Sequence, residues 1–206
     1  MSVSAEPSSP PVILASASAS RAQILSAAGV AHEIVLANVD EGEVKRSLAQ
    51  EGAPAFAVAE TLAELKAQKV SRRHRGALVI GADQVLECGG QLFDKPPDLD
   101  HARAHLTALR GRRHTLVGSV SVVRDGAVLW HLNDQAHLEM RDLSDAFIEW
   151  YIEQMGEPIC DTVGAYKLEG LGAQLFDKIE GDFFSILGLP LLPLLAVLRN
   201  HGVVRA

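Results

Sequence analysis

With 206 residues, 48% apolar and 22% charged, the chain has enough apolar material for a sizeable core, and one domain is the default, with two lobes left open. No run reaches the roughly 18 to 20 uncharged apolar residues of a spanning helix, and the N-terminus lacks the basic-then-apolar order of a signal peptide, so a cytoplasmic protein with no membrane partner is expected. A formal charge of −7 argues against salt-driven binding to a nucleic-acid backbone, though not against a small polyanion held by a few converging cations.

Residues Met1 to Pro10 are rich in Ser, Pro and small residues without an apolar period, which predicts a disordered arm and leaves residues 11–206 as a single domain. Val12-Ile13-Leu14 predicts a short buried strand, Ser16 to Ser20 a loop, and Arg21 to Ala28 a helix closed by Gly29. A second strand is expected at about Glu33 to Leu36. A longer helix should run from Pro54 to about Val70, with Ala55, Val58, Leu62 and Leu65 on a core face, Glu60 and Glu64 in solvent, and Lys66 bordering the apolar stripe so that it can lean into a cleft. Ala77 to Leu86 reads as a buried strand turned back at Gly89-Gly90, and Asp98 to Leu109 as a helix. Asp125-Gly126 is the strongest hairpin signal, joining Thr115 to Val123 with Ala127 to Glu139. Ser144 caps a helix that Gly156 stops near Met155. A Gly-rich loop over Gly164 to Gly172, a strand over Gln174 to Ile179 and a helix over Leu191 to Arg199 complete the chain. Hairpins mixed with crossovers give an α/β (or α+β) fold, a mixed β-sheet flanked by helices.

Five stretches can carry chemistry. Leu14-Ala15-Ser16-Ala17-Ser18-Ala19-Ser20-Arg21 breaks a strand into hydroxyl residues and starts a helix, offering free N–H groups, hydroxyls and an arginine fork to phosphate; a Ser-rich cap with a surface arginine is the bland reading. Val39-Asp40-Glu41 places adjacent carboxylates that can hold a hard cation, or that merely form a solvated acidic turn. Asp83, in Gly81-Ala82-Asp83-Gln84-Val85, stands where a buried strand meets its loop and can bind metal or orient water, unless it only closes an Asx-turn. Lys95, before Pro96, can meet a phosphate or stay solvated, and Lys66 and Lys69 can do the same or merely complement their helix dipole. The Gly164 to Gly172 stretch permits close approach of a flat ligand, but its spacing is no dinucleotide fingerprint, and a plain flexible loop is the alternative. P-loop, helical zinc and nucleophile-elbow motifs are absent. Cys88 and Cys160 lack ligand spacing and read as reduced core thiols, and His101, His105 and His114 as surface or packing residues.

Together and in this order, Leu14-Ala15-Ser16-x-Ser18-x-x-Arg21, Val39-Asp40-Glu41, Lys66-Ala67, Gly81-Ala82-Asp83-Gln84-Val85, Lys95-Pro96, Gly164-Ala165-Tyr166-x-x-Glu169-Gly170 and Leu187-Gly188-Leu189-Pro190 resemble the Maf family of nucleotide pyrophosphatases, whose fold is similar to that of the inosine-triphosphate pyrophosphatases. The resemblance implies hydrolysis of a nucleoside triphosphate to monophosphate and pyrophosphate with a divalent cation, Mg²⁺ or Mn²⁺. It makes Asp83 the proton acceptor for the attacking water and a metal ligand together with Glu41. It gives the triphosphate to Lys66, Lys95, Arg21, Ser16 and Ser18, and base selection to Ser20, Gln84 and Glu169. Gln84 and Glu169 look like the branch acting on 7-methylguanosine triphosphate, whereas Gly164-Ala165-Tyr166 looks like the branch acting on thymidine and uridine triphosphates. Ala19-Ser20 departs from relatives that carry Pro and then a basic or aromatic residue. A regulator of septum formation without turnover is the other reading, and a phosphatase releasing inorganic phosphate a third. A homodimer is left open: Leu189 to Leu198 could supply an apolar face, but core packing explains that helix equally well.

Overall fold

Three consecutive apolar residues cannot hide on one face only, and Val12–Leu14 forms β1 with all three buried. In the computed structural model, which describes residues 9–205, β1 lies between two parallel neighbours, β2 (Glu33–Ile34) and β3 (Leu78–Cys88). The arm expected over Met1 to Pro10 falls outside the described residues but for Ser9 and Pro10. Beyond β3 the pairing turns antiparallel. β5 (Arg113–Arg124) pairs with β3, β6 (Ala127–Met140) with β5 and β7 (Phe176–Glu180) with β6, while the short β4 (Gln91–Phe93) returns along β3. The sheet order is β2-β1-β3-β5-β6-β7, one mixed sheet of seven strands among the described residues, counting β4. Both predicted hairpins are present, Gly89 and Gly90 at φ +61° and +82° and Asp125 and Gly126 at +51° and +82°, the left-handed pair that a two-residue turn needs.

Helices cover both faces. On one, α3 (Ala55–Ser71) sets Val58, Leu62, Ala67 and Val70 against Ile13, Val79, Val85 and Val117. On the other, α1 (Ala19–Ala27) and α7 (Leu191–Asn200) bury Ile24, Leu25, Leu191, Leu194 and Leu198 against Leu14, Leu78, Ile80 and Val122. Each such side chain contributes about 1.5–3 kcal/mol by leaving water. The far end of the sheet is filled by α4 (Leu99–Leu109) and α5 (Asp145–Met155), which bury Leu106, Ile148 and Tyr151 with Leu86 and Leu138.

Several expectations need correction. Leu65 is 38% exposed, because residues 62, 63, 66, 67 and 70 define the buried face and position 65 lies outside that arc. The supposed acidic turn opens a helix, α2 (Glu41–Gln50), capped by Asp40, whose carboxylate accepts from the Glu43 N–H. α1 begins at Ala19, two residues before Arg21, because the Ser18 hydroxyl accepts from the Arg21 N–H as its cap. The second strand is only Glu33–Ile34, and β7 is Phe176–Glu180 after a 3₁₀ turn over Leu171–Leu175. The Gly164 to Gly172 stretch is no plain loop: a 3₁₀ turn at Val163–Ala165 buries Gly164, Ala165 and Tyr166. Cys88 is buried, but Cys160 is only half-buried; both are free thiols. Before α7 lies a further short helix, α6 (Phe183–Ile186).

Candidate active site

The sheet has an opening beside the middle of β3. β1 ends with Leu14 opposite Ile80, and β4 lies only opposite Leu86 to Cys88, so no strand among the described residues pairs that edge of β3 over Gly81 to Val85. An unpaired edge carbonyl needs a donor. Arg21 supplies it: Nη1 donates to the Ala82 carbonyl at 2.8 Å and to Ser16 Oγ at 3.0 Å, while Nε donates to the Gly188 carbonyl at 2.8 Å. Gly188 has φ +101°, and a Cβ there would stand 3.2 Å from Arg21 Nε, so glycine permits the approach. Burial lowers the Arg21 pKa against the opposing pull of Asp83 and Glu41, yet an arginine remains charged. With Nε and Nη1 committed to the protein, Nη2 is the edge left for a ligand.

Along β3 the side chains alternate, and Gly81, Asp83 and Val85 face α3. Gly81 lets the helix come close, since a Cβ would lie 2.2 Å from the Ala63 carbonyl oxygen. One turn along that helix, Lys66 reaches Asp83 Oδ1 at 2.6 Å and Glu41 Oε1, from the first turn of α2, at 2.8 Å. Lys66 and Asp83 are 8% and 5% exposed, which makes this a nearly dry pair with a half-exposed third member. Asp83 Oδ2 is buried and has no hydrogen-bond partner among the described residues. Glu41 is raised by burial but lowered more by the hydrogen bond and charge of Lys66, with Lys45 and Lys95 adding, and it ends below its ordinary range. Lys95 is lowered, first by burial and then by Arg21 and Lys66, against Glu41 and Asp161. Lys45 pairs with Asp94 at the rim.

The opposite wall comes from the C-terminal third of the chain. Gln84 Nε2 donates to the Ser185 and Ile186 carbonyls at 3.0 and 3.2 Å, and Lys167, Leu168 and Glu169 line the same space. The cleft, open to solvent on one side, measures about 490 Å³, within the span of small-ligand sites.

The family model described as Maf-like protein matches residues 11–201. The chain belongs to the Maf family. It is 54% identical over 190 residues to a nucleoside triphosphate pyrophosphatase of Paramagnetospirillum magneticum, covering 92% of this chain and 98% of the relative. A protein of Granulibacter bethesdensis with the same designation is 52% identical over 92% of this chain and 96% of its own. A 7-methyl-GTP pyrophosphatase of Rhizobium meliloti is 46% identical over 96% of this chain and 99% of its own.

In this Maf chain the residues to which the resemblance gives a role line one cleft: Ser16, Ser18, Ser20 and Arg21 on the first loop and helix, Glu41 and Lys66 on α2 and α3, Asp83 and Gln84 on β3, and Lys95 and Glu169 on the facing loops. Asp40 does not join Glu41 there, because it caps α2. Lys69 points elsewhere, donating to the Asn38 carbonyl. His101 pairs with Asp98 on the surface, and His105 packs edge-on against Phe93. Among the described residues no group of three or more His, Cys, Asp or Glu side chains forms a metal cage. No described helix is long and apolar enough to cross a membrane. Lys45, Asp161 and Lys167 also line the Maf cleft and were missed from the sequence. Asp40 three residues before Glu43 is a capping signature that reveals α2, and Lys45 then falls one turn after Glu41 on the same face.

Proposed function

We propose that this Maf protein hydrolyses a nucleoside triphosphate to its monophosphate and pyrophosphate, with Asp83 as the proton acceptor. The carrying observation is Asp83 Oδ2, a buried carboxylate oxygen without a partner among the described residues beside a lysine-held Oδ1, on a residue that lines a cleft together with Arg21, Lys95 and Lys45 from other elements. An orphaned buried acceptor costs about 1–3 kcal/mol unless something fills its lone pair, and a water molecule does so with a hydrogen it can give up. The oxygen of that water attacks the α-phosphorus, the bond from that phosphorus to the bridging oxygen breaks, pyrophosphate leaves with the electron pair, and the proton passes to Asp83. Arg21, Lys66 and Lys95 hold the charge on the phosphates, and the Ser16 and Ser18 hydroxyls remain able to donate.

A divalent cation fits the donor set. Asp83 Oδ2 and the Glu41 carboxylate are hard oxygens on either side of one ammonium, and with no protein cage among the described residues a Mg²⁺ or Mn²⁺ ion would be completed by waters and phosphate oxygens. Such an ion supplies Lewis acidity and neutralises phosphate charge.

For the base, Gln84 has its amide hydrogens committed to two backbone carbonyls, so only its oxygen is left, and Glu169 is an acceptor as well. Two acceptors favour a base edge bearing N–H donors, which supports 7-methylguanosine triphosphate over a pyrimidine. A panel of ordinary and modified triphosphates with Mg²⁺, assayed for monophosphate and pyrophosphate, tests both parts. Asp83→Asn should lower turnover by at least about 100-fold. Undiminished turnover removes Asp83 from the mechanism, inorganic phosphate as the product points to a phosphatase, and binding without turnover by the wild type points to a regulator.

A further inference from the structure

His114 lines no part of the cleft, yet it is one of the few titratable side chains fully withdrawn from water. It stands at the start of β5. Its Nε2 shares a hydrogen bond of 2.9 Å with Tyr166 Oη, and Phe176 closes the group with its ring centroid 4.9 Å from that of Tyr166 and 5.9 Å from that of His114. Burial pushes the imidazole down to about 4 and the phenol well above its ordinary value, the latter with Tyr151 adding to the effect. The two rings therefore keep an uncharged hydrogen bond throughout the neutral range.

Against this pair packs the Val163–Ala165 turn, which shares the buried cluster of Tyr166 and whose Ala165 N–H donates to the Thr162 carbonyl at 3.3 Å. Gly164 has φ +78° and Ala165 +60°, and a left-handed backbone is rare for alanine. The turn folds down onto the tyrosine ring so closely that a Cβ on Gly164 would come within 2.6 Å of Tyr166 Cε1. On either side of Gly164 and Ala165, Thr162 and Val163 before them and Tyr166 itself, Lys167, Leu168 and Glu169 after them line one wall of the cleft. The wall also doubles back on itself, with the Lys167 carbonyl oxygen 2.3 Å from where a Cβ on Gly172 would be.

We propose that His114 is a positioning residue: its hydrogen bond to Tyr166 latches the Gly164–Ala165 turn and so holds the Thr162 to Glu169 wall in the form that receives ligand. The inference rests on the reading of this cleft as the triphosphate site, so its test has two readouts. Tyr166→Phe keeps the ring and removes only the hydroxyl, His114→Leu removes the other partner, and in His114→Gln the amide can still reach the hydroxyl. Hydrogen–deuterium exchange of amides 162–170 should quicken about tenfold in Tyr166→Phe and His114→Leu, with the β3 and β5 amides unchanged, and His114→Gln should stay within about threefold of wild type. With 7-methyl-GTP or UTP and Mg²⁺, KM should rise about fivefold to tenfold in the first two variants with a much smaller change in kcat, and the double variant should be no worse than the worse single one. Unchanged exchange and KM in folded Tyr166→Phe overturn the latch, as do effects that multiply in the double variant. If the wild type turns over neither nucleotide, the substrate reading fails while the exchange rates still decide the latch.

Discussion

Lys66 and Asp83 hold each other in place, since neither could stay nearly dry and charged without the other. The sequence marks Lys66 by its place at the border of an apolar stripe, and the fold seats it at the cleft as that sign points; it marks Asp83 as standing where a buried strand meets its loop, whereas Asp83 lies in the middle of β3, opposite Ser119. What a single residue cannot reveal is how much of its bonding capacity is already taken. Arg21 reads as a phosphate fork, but its Nε and Nη1 satisfy backbone carbonyls and a serine, which only the strand registers disclose. His114 reads from the sequence as a surface or packing residue; the fold buries it, and that burial has a consequence for acid stability. In the unfolded chain it takes a proton near 6.5, in the folded protein only at about 4. The folded state binds fewer protons in between, so the stability tied to the neutral ring is complete above about 6.5 and is lost as pH falls towards 4. The loss amounts to about 3 kcal/mol at the acid end. Urea unfolding of wild type and His114→Gln should give a stability gap at pH 7.5 that narrows by that order at pH 4.5. Parallel profiles would mean that the ring is not held neutral by burial.

At the scale of elements, the hairpins and long helices were legible because turn chemistry and apolar period agree over Asp125-Gly126 and over α3. α2 was not, because it buries no residue of its own: Val44 and Leu48 are only partly covered by α3, and the segment reads as charged surface. Its one firm signal is the Asp40 cap. The contact between α3 and β3 shows the reverse case, where a single residue type sets the distance between two elements. Gly81 carries no positive φ, so the demand on it is space alone. In Gly81→Ala the new methyl would meet the Ala63 carbonyl and Ala67, both backbone or rigid, and α3 would have to move off with Lys66 attached. Overpacking of this kind costs about 1–3 kcal/mol. Thermal melting should show that loss, and turnover should fall with it because Lys66 and Asp83 separate. Gly90 is the control: a Cβ there has open space and only the φ of +82° to oppose it, so Gly90→Ala should destabilise mildly and leave turnover intact. If Gly81→Ala melts and turns over as wild type does, the close approach does not matter.

Across the whole molecule, the cleft lies beside β3, which pairs in parallel with β1 on one side and antiparallel with β5 on the other, and its walls come from both ends of the chain. The parallel half brings Ser16, Arg21, Glu41, Lys66 and Asp83, and the segments after β6 bring Glu169, Leu187 and Gly188. Sequence order could list these groups but not show that Gly188 is gripped by Arg21, which ties the last third of the chain to the first. Ligand in such a cleft is bound by the folded state alone, and its binding free energy adds to the stability of the whole fold. At a concentration 100 times Kd the gain is about 2.7 kcal/mol. A triphosphate with a non-hydrolysable bond between the α- and β-phosphates should therefore raise the melting temperature in proportion to the logarithm of its concentration. The rise should be larger with Mg²⁺ than with chelator, because Asp83 Oδ2 and Glu41 would otherwise face the phosphates as bare anions. Lys95→Ala should reduce the shift without altering the melting of the free protein, since Lys95 makes no ion pair among the described residues. A shift that ignores both the cation and Lys95 would place the nucleotide somewhere other than this cleft.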